Sequence, residues 1–190
     1  MHQAVRFFTV AAAIAVAGCA SSPRTTSDGK PATQAAVERI APPVTVPNSS
    51  THKVVLAMSG AKIAVESKDW VEFKREWRET FAEHAKNANV AFTFVDGDAQ
   101  PTGEDGTILQ VYVNDYRIVG IGMRIMFGIM TGNAFIDAKV RFQNLKDGMP
   151  FGEQQYNTTS SAGAGVFAKV TPQQVDAIAY NIFRDIKSTK

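Results

Sequence analysis

Residues 133–143 read NAFIDAKVRFQ, and from Ile136 onward apolar and polar side chains alternate without a break. Side chains on a strand point to opposite faces in turn, so Ile136, Ala138, Val140 and Phe142 share one face, and Asp137, Lys139, Arg141 and Gln143 the other. One apolar and one charged face is the pattern of an antiparallel strand with a core on one side and water on the other. This strand sets the frame for the rest.

On its C-terminal side, Lys146-Asp147-Gly148 is a turn signal. The polar stretch PFGEQQYNTTSS then reads as a weaker strand, expected at a sheet edge because Pro150 lacks a backbone donor. On its N-terminal side, TILQVYVNDYRIV places Leu109, Val111 and Val113 on one face of another strand. HKVVLAM, with Val54, Leu56 and Met58, and VAFTFV from Val90 to Val95 supply two more. Between those two lies the clearest helix. Asp69 is placed to cap it, Glu72 completes a capping box, and Trp70, Phe73, Trp77, Phe81 and Ala85 recur at helical spacing. A helix joining two strands of one sheet predicts that they run parallel in a right-handed crossover. The aromatic stripe reads as core, not as a ligand box.

A second helix closes the chain. Thr171 is the expected cap and Pro172 the expected first helical residue, and Val175, Ile178, Ala179, Ile182, Phe183 and Ile186 form its apolar stripe. The sequence therefore predicts one α+β domain over 51–190 in the order β-α-β-β-β-β-α. Its sheet is mixed and mostly antiparallel, with about five strands and two amphipathic helices on one face.

The N-terminal fifty residues differ in kind. A positive start at Arg6, an apolar run from Phe7 to Val16 and the small residues Ala17 and Gly18 have the three-part form of an export signal. The run is too short to span a bilayer, which takes roughly 20 residues. The chain's single cysteine follows at once. Val16-Ala17-Gly18-Cys19 resembles the lipobox of bacterial lipoproteins, which implies cleavage between Gly18 and Cys19, diacylglycerol on the Cys19 sulfur and a mature chain beginning at Cys19. Multiple acyl chains anchor a protein stably where one does not. Ala20, where Asp would retain such a protein at the inner membrane, implies the outer membrane with the domain facing the periplasm. Residues 1–18 are thus expected to be a signal peptide. Residues 19–50, rich in Ser, Thr, Pro and Gly, read as a lipid-anchored flexible tether, with a short helical turn near Ala35–Ile40.

The order of elements from about 52 to 188, with a Gly-rich apolar connector and an Asp-Gly turn, resembles a family of bacterial lipoproteins catalogued as domain of unknown function number 4410. The resemblance implies neither activity, cofactor nor site residue.

The connector itself, IVGIGMRIMFGIMTG (118–132), is open to two readings. It is either a buried strand or hairpin kinked by glycines, or an exposed apolar surface. In the second case Ile121, Met123, Ile125, Phe127 and Ile129 would form an interaction surface for a partner or the bilayer.

Composition narrows the function. The chain is 45% hydrophobic and 20% charged, as a globular domain is. Its 20 basic residues less Arg6 leave 19 against 18 acidic ones, a balance that offers no pull on nucleic acid. With Cys19 acylated, no thiol remains for a disulfide, a zinc site or a nucleophile. His84 falls on the polar flank of the first helix without a catalytic neighbour in sequence, and His52 is equally isolated. The motifs G-x-S-x-G, H-E-x-x-H and the P-loop are missing. Asp96, Asp98, Glu104 and Asp105 do not match the spacing of an EF-hand loop. We therefore expect no catalytic residues, metal or cofactor beyond the covalent lipid. The expected function is a non-enzymatic periplasmic domain binding another envelope protein or polymer. The alternative is a subunit of an oligomeric secretion or assembly complex using 118–132.

Overall fold

A computed structural model describes residues 36–39, 41–118, 134–159 and 170–188, all within a unit spanning Thr33–Lys190. Six strands make one sheet: β1 (Ala36–Arg39), β2 (Lys53–Gly60), β3 (Ala91–Asp96), β4 (Thr107–Arg117), β5 (Phe135–Asn144) and β6 (Pro150–Thr159). Among the described residues three α-helices accompany them: α1 (Lys62–Val65), α2 (Trp70–Asn87) and α3 (Val170–Lys187). The spatial order of the sheet is β1-β6-β5-β4-β2-β3.

The architecture is α+β with a mixed sheet, as the periodicities predict. Joined by α2, β2 and β3 are parallel; β2 and β4 are also parallel, while β4-β5, β5-β6 and β1-β6 are antiparallel. The core face is the one read from sequence: Ile136, Ala138, Val140 and Phe142 are buried with Leu109, Val111 and Val113 of β4. Trp70, Phe73, Trp77, Phe81 and Ala85 of α2 pack into the same cluster as the apolar stripe of α3. Both long helices thus cover one sheet face, meeting where Phe81 lies 6.0 Å from Phe183.

Several expectations need correction. The sheet has a sixth strand inside the stretch read as tether: Ala36–Arg39 is β1, paired with Tyr156–Thr159, and not a helical turn. Val44 and Val46 behind it are buried in the core, so of residues 36–50 the description "flexible tether" does not hold. The composition hid this because a lone four-residue strand has no period of its own to read. β6 is consequently an interior strand; Pro150 is tolerated because it is the strand's first residue, beyond the segment that pairs with β1.

The helix starts also differ. Asp69 is the N-cap of α2, but its carboxylate makes no capping hydrogen bond, and Glu72 pairs with Arg75 instead of closing a capping box. The Ser67 Oγ takes the Asp69 N–H at 3.3 Å. α3 begins at Val170, one residue before Thr171, so Pro172 sits inside the first turn, where a missing N–H still leaves no hydrogen bond unmade.

Candidate functional site

With both long helices on one face, the other face of β4-β5-β6 carries the charged residues of the alternation. At its centre is Asp137. Asn114 and Gln155 each donate a side-chain amide to its Oδ1 at 3.2 Å, and Asn157, with its amide nitrogen turned inward, does so at 2.9 Å. Next to this cluster Glu153 receives Lys139 at 3.0 Å and Arg141 at 3.5 Å. The Lys139 hydrogen bond, with further pull from both cations, holds the Glu153 carboxyl below its ordinary pKa. Tyr112, directly opposite Lys139 in the β4-β5 register, leaves 42% of its surface exposed. The result is a flat face of donors and acceptors with an aromatic ring beside it.

A second feature lies where β2 and β4 end. A cavity of about 320 Å³ is lined by Ile63, Ser67, Asp69, Asp115, Tyr116, Arg117, Ile118 and Phe135. α1 closes the end of β4, with the Ala61 N–H bonded to the Val113 carbonyl at 2.9 Å. A register shift between Val113 and Asp115 produces the cavity wall. Strict alternation after Val113 would send Asp115 towards the helices and Tyr116 away. The extra residue reverses this, a known use of a bulge. Tyr116 is buried and stacks on Phe73 with centroids 4.1 Å apart and planes at 9°. Its hydroxyl has no hydrogen-bond partner. Burial raises its pKa, and the negative charges of Asp69 and Asp115 raise it further, while Ser67 acts the other way.

Sequence reasoning missed this cavity. Its only trace is that Asn114-Asp115 breaks the alternation of β4 with two polar residues in a row.

Other residues singled out from sequence are dispersed. His84 does have a neighbour, Asp176 of α3, 2.7 Å from its Nε2, and its ring lies 5.9 Å from Phe183; the pair bridges the two long helices and does not line the cavity. The four loop carboxylates go to four different partners: Asp96 to Lys74, Asp98 to Gln110, Glu104 to Lys53 and Asp105 to Lys146. Gly18, Cys19 and the residues Ile121, Met123, Ile125, Phe127 and Ile129 lie outside the described residues. The ends of the 118–132 connector are described: Arg117 and Phe135 face each other across β4 and β5.

No family model matches the chain, and no curated protein matches it. Among solved structures, the PelC dodecamer from Paraburkholderia phytofirmans is similar at 11% identity over 78% of this chain and 96% of that one, with a TM-score of 0.46. Protein XCC0632 from Xanthomonas campestris is similar at 9% identity over 74% and 87%, with a TM-score of 0.47. Likeness at this level carries no functional argument.

Proposed function

We propose that the protein is an outer-membrane lipoprotein, acylated at Cys19 after cleavage behind Gly18, whose periplasmic α+β domain binds an envelope protein or polymer without catalysing a reaction. The lipobox resemblance supports the anchor. The observation that carries the binding role is the open face of β4-β5-β6. There Asp137 gathers three side-chain amides beside exposed Tyr112 and the Lys139-Glu153-Arg141 cluster, while both long helices pack on the other side. Flat arrays of amides, charges and an aromatic ring suit a surface partner better than a reacting small molecule, which needs an enclosed site.

Two measurements test this. Metabolic labelling with a fatty acid should mark the wild-type chain and leave Cys19→Ser unlabelled and released from membranes; a labelled Cys19→Ser chain would refute the anchor. In-cell photocrosslinking from position 112 should capture a defined adduct that is lost on Lys139→Glu. Crosslinks that are absent, or unchanged by that substitution, would refute the face.

The second reading, an oligomeric assembly subunit, has one favouring observation. Because Arg117 and Phe135 are paired, the residues that flank the apolar connector meet at one point of the sheet. Native mass spectrometry of the lipidated protein decides between the two. A uniform oligomer that is lost when Ile121, Ile125 and Phe127 become Ser favours assembly, and a monomer favours the tethered binding domain.

A further inference from the structure

We propose that the end of the domain where β2 and β4 finish docks onto the lipid bilayer, with Ile63 and Val65 of α1 and Val71 of α2 entering the headgroup region beside Lys62, Lys68 and Arg117. The proposal rests on the reading of Cys19 as the lipid anchor and adds a second membrane contact, made by the folded domain itself.

The sheet register places the elements. Ala36, Thr159, Phe135 and Arg117 are paired in turn across β1, β6, β5 and β4, so they form one row at a single end of the sheet. The same end carries α1, which follows the last residue of β2, Gly60; the Ala61 N–H bonds the Val113 carbonyl, and Ile63 shares a cavity wall with Arg117, Ile118 and Phe135. There too α2 begins, with the Trp70 N–H bonded to the Ser67 carbonyl. The chain that leads from the anchor therefore joins the sheet at the end that presents α1. Ala36 stands 17 positions after Cys19, a length that reaches at most about 60 Å when fully extended.

That end also exposes apolar side chains. Ile63 is 68% exposed, Val65 39% and Val71 76%, and these are half of the large apolar side chains exposed among the described residues. The others are spread: Tyr112 on the open sheet face, Tyr180 on α3 and Met149 in the turn at the opposite end. A helical Cα–Cβ bond leans towards the helix N-terminus, so Val71, in the first turn of α2, leans towards the end that carries α1. Grouped apolar side chains rimmed by polar ones mark a contact surface. Lysine and arginine beside them suit a lipid partner, because their stems lie along apolar surface while their charges stay at the phosphates. Lys62, Lys68 and Arg117 are all exposed, and among the described residues Lys68 and Arg117 are in no ion pair. Glu66, which pairs with Lys62 at 3.8 Å, and Asp69 and Asp115 offset these charges, so apolar contact and not net attraction carries the docking. Such a surface holds weakly by itself; it suffices here because the anchor makes the contact intramolecular. The strands then stand end-on to the bilayer and leave the open face of β4-β5-β6 clear for its own partner.

The test compares two forms on vesicles of phosphatidylethanolamine and phosphatidylglycerol. One is the lipidated protein; the other is the full mature chain with Cys19→Ser, held by an N-terminal histidine tag on nickel-chelating lipid. In either form an introduced cysteine is the single free thiol. A polarity-sensitive fluorophore attached at Ile63→Cys, Lys68→Cys or Val71→Cys should shift to the blue on vesicles and lose emission to nitroxide-bearing lipid, while one at Met149→Cys does neither. Both effects should persist in roughly 0.5 M salt, where exposed charges are screened within a few Å. Adding Ile63→Asp and Val71→Asp should abolish the quenching at position 68. Labels at 63 and 71 that are no more quenched than one at 149 overturn the proposal, as does quenching at 68 that survives the two aspartates. Labels at 63 and 71 already shielded from aqueous iodide before vesicles are added mean that a second copy covers the surface, and overturn it too. Since the tag replaces the acyl chains, a failure of the anchor reading appears in the fatty-acid labelling and leaves the result from the tagged form standing. Should the aspartate variant melt at lower temperature, the comparison of 63 and 71 with 149 still decides.

Discussion

Arg39 Nη1 lies 2.9 Å from both carboxylate oxygens of Asp185, joining the edge strand β1 to the C-terminal helix across 146 positions of chain. Asp185 is 1% exposed, and its Oδ2 also accepts the Val44 N–H at 3.4 Å. The contact ties the segment behind β1 to the domain. Gln154, buried in β6, reinforces it by donating to the Pro42 carbonyl.

Breaking that pair leaves a buried charge without its partner, so Asp185→Ala should destabilise the domain by about 3–5 kcal/mol in urea unfolding. Limited proteolysis should cut near residues 41–46 in the variant well before it cuts the wild type. Unchanged proteolysis would show that the strand pairing of β1 alone holds the segment.

Tyr156, fully buried in β6, makes stability fall in alkali. Its pKa is raised above the ordinary tyrosine value, first by burial and then by the nearby Asp185 charge, with Arg39 opposing. A raised folded pKa means that the unfolded chain ionises first. The contribution is complete below about pH 10 and is lost as pH rises from there towards the folded value. Its hydroxyl has no hydrogen-bond partner, so Tyr156→Phe should leave stability at pH 7 within about 1 kcal/mol and flatten the decline above pH 10. Denaturant midpoints at pH 7 and pH 11 read both effects.

Trp77 is fully buried between Phe73 and Phe81, with centroids at 6.0 and 5.3 Å. Trp77→Ala should cost about 3–5 kcal/mol by thermal or urea unfolding. Trp77→Phe should cost much less, because the indole N–H has no partner to lose. A small loss in the alanine variant would mean that α2 does not seat as described.

Gly106 immediately precedes β4, at a point where no side chain fits. A Cβ there would lie 2.9 Å from the Lys53 carbonyl oxygen and 2.9 Å from Leu145 Cδ2. Gly106→Ala should lower stability by about 1–3 kcal/mol through forced displacement of backbone. The melting temperature should fall with it, and an unchanged one would refute this.

The elements that alternate or repeat over many residues were legible from the chain alone. β5 and β4 announced their core face through Ile136 to Phe142 and Leu109 to Val113. Likewise α2 and α3 declared themselves through their stripes, because each such element repeats its inward residues often enough to define a period. Those features determine the α+β class, the parallel β2-β3 pair and the side of the sheet that carries the core. What only the tertiary structure decided are features made by contact between distant segments or by one irregular residue. β1 is four residues long and exists because β6 offers an edge and Asp185 an anchor for Arg39. The cavity exists because a single bulge turns Tyr116 onto Phe73 and sets it in a wall with Ser67, Asp69 and Asp115, residues scattered over about fifty positions of sequence. A period can be read from a chain, but a break in the period takes its meaning only from what it brings into contact.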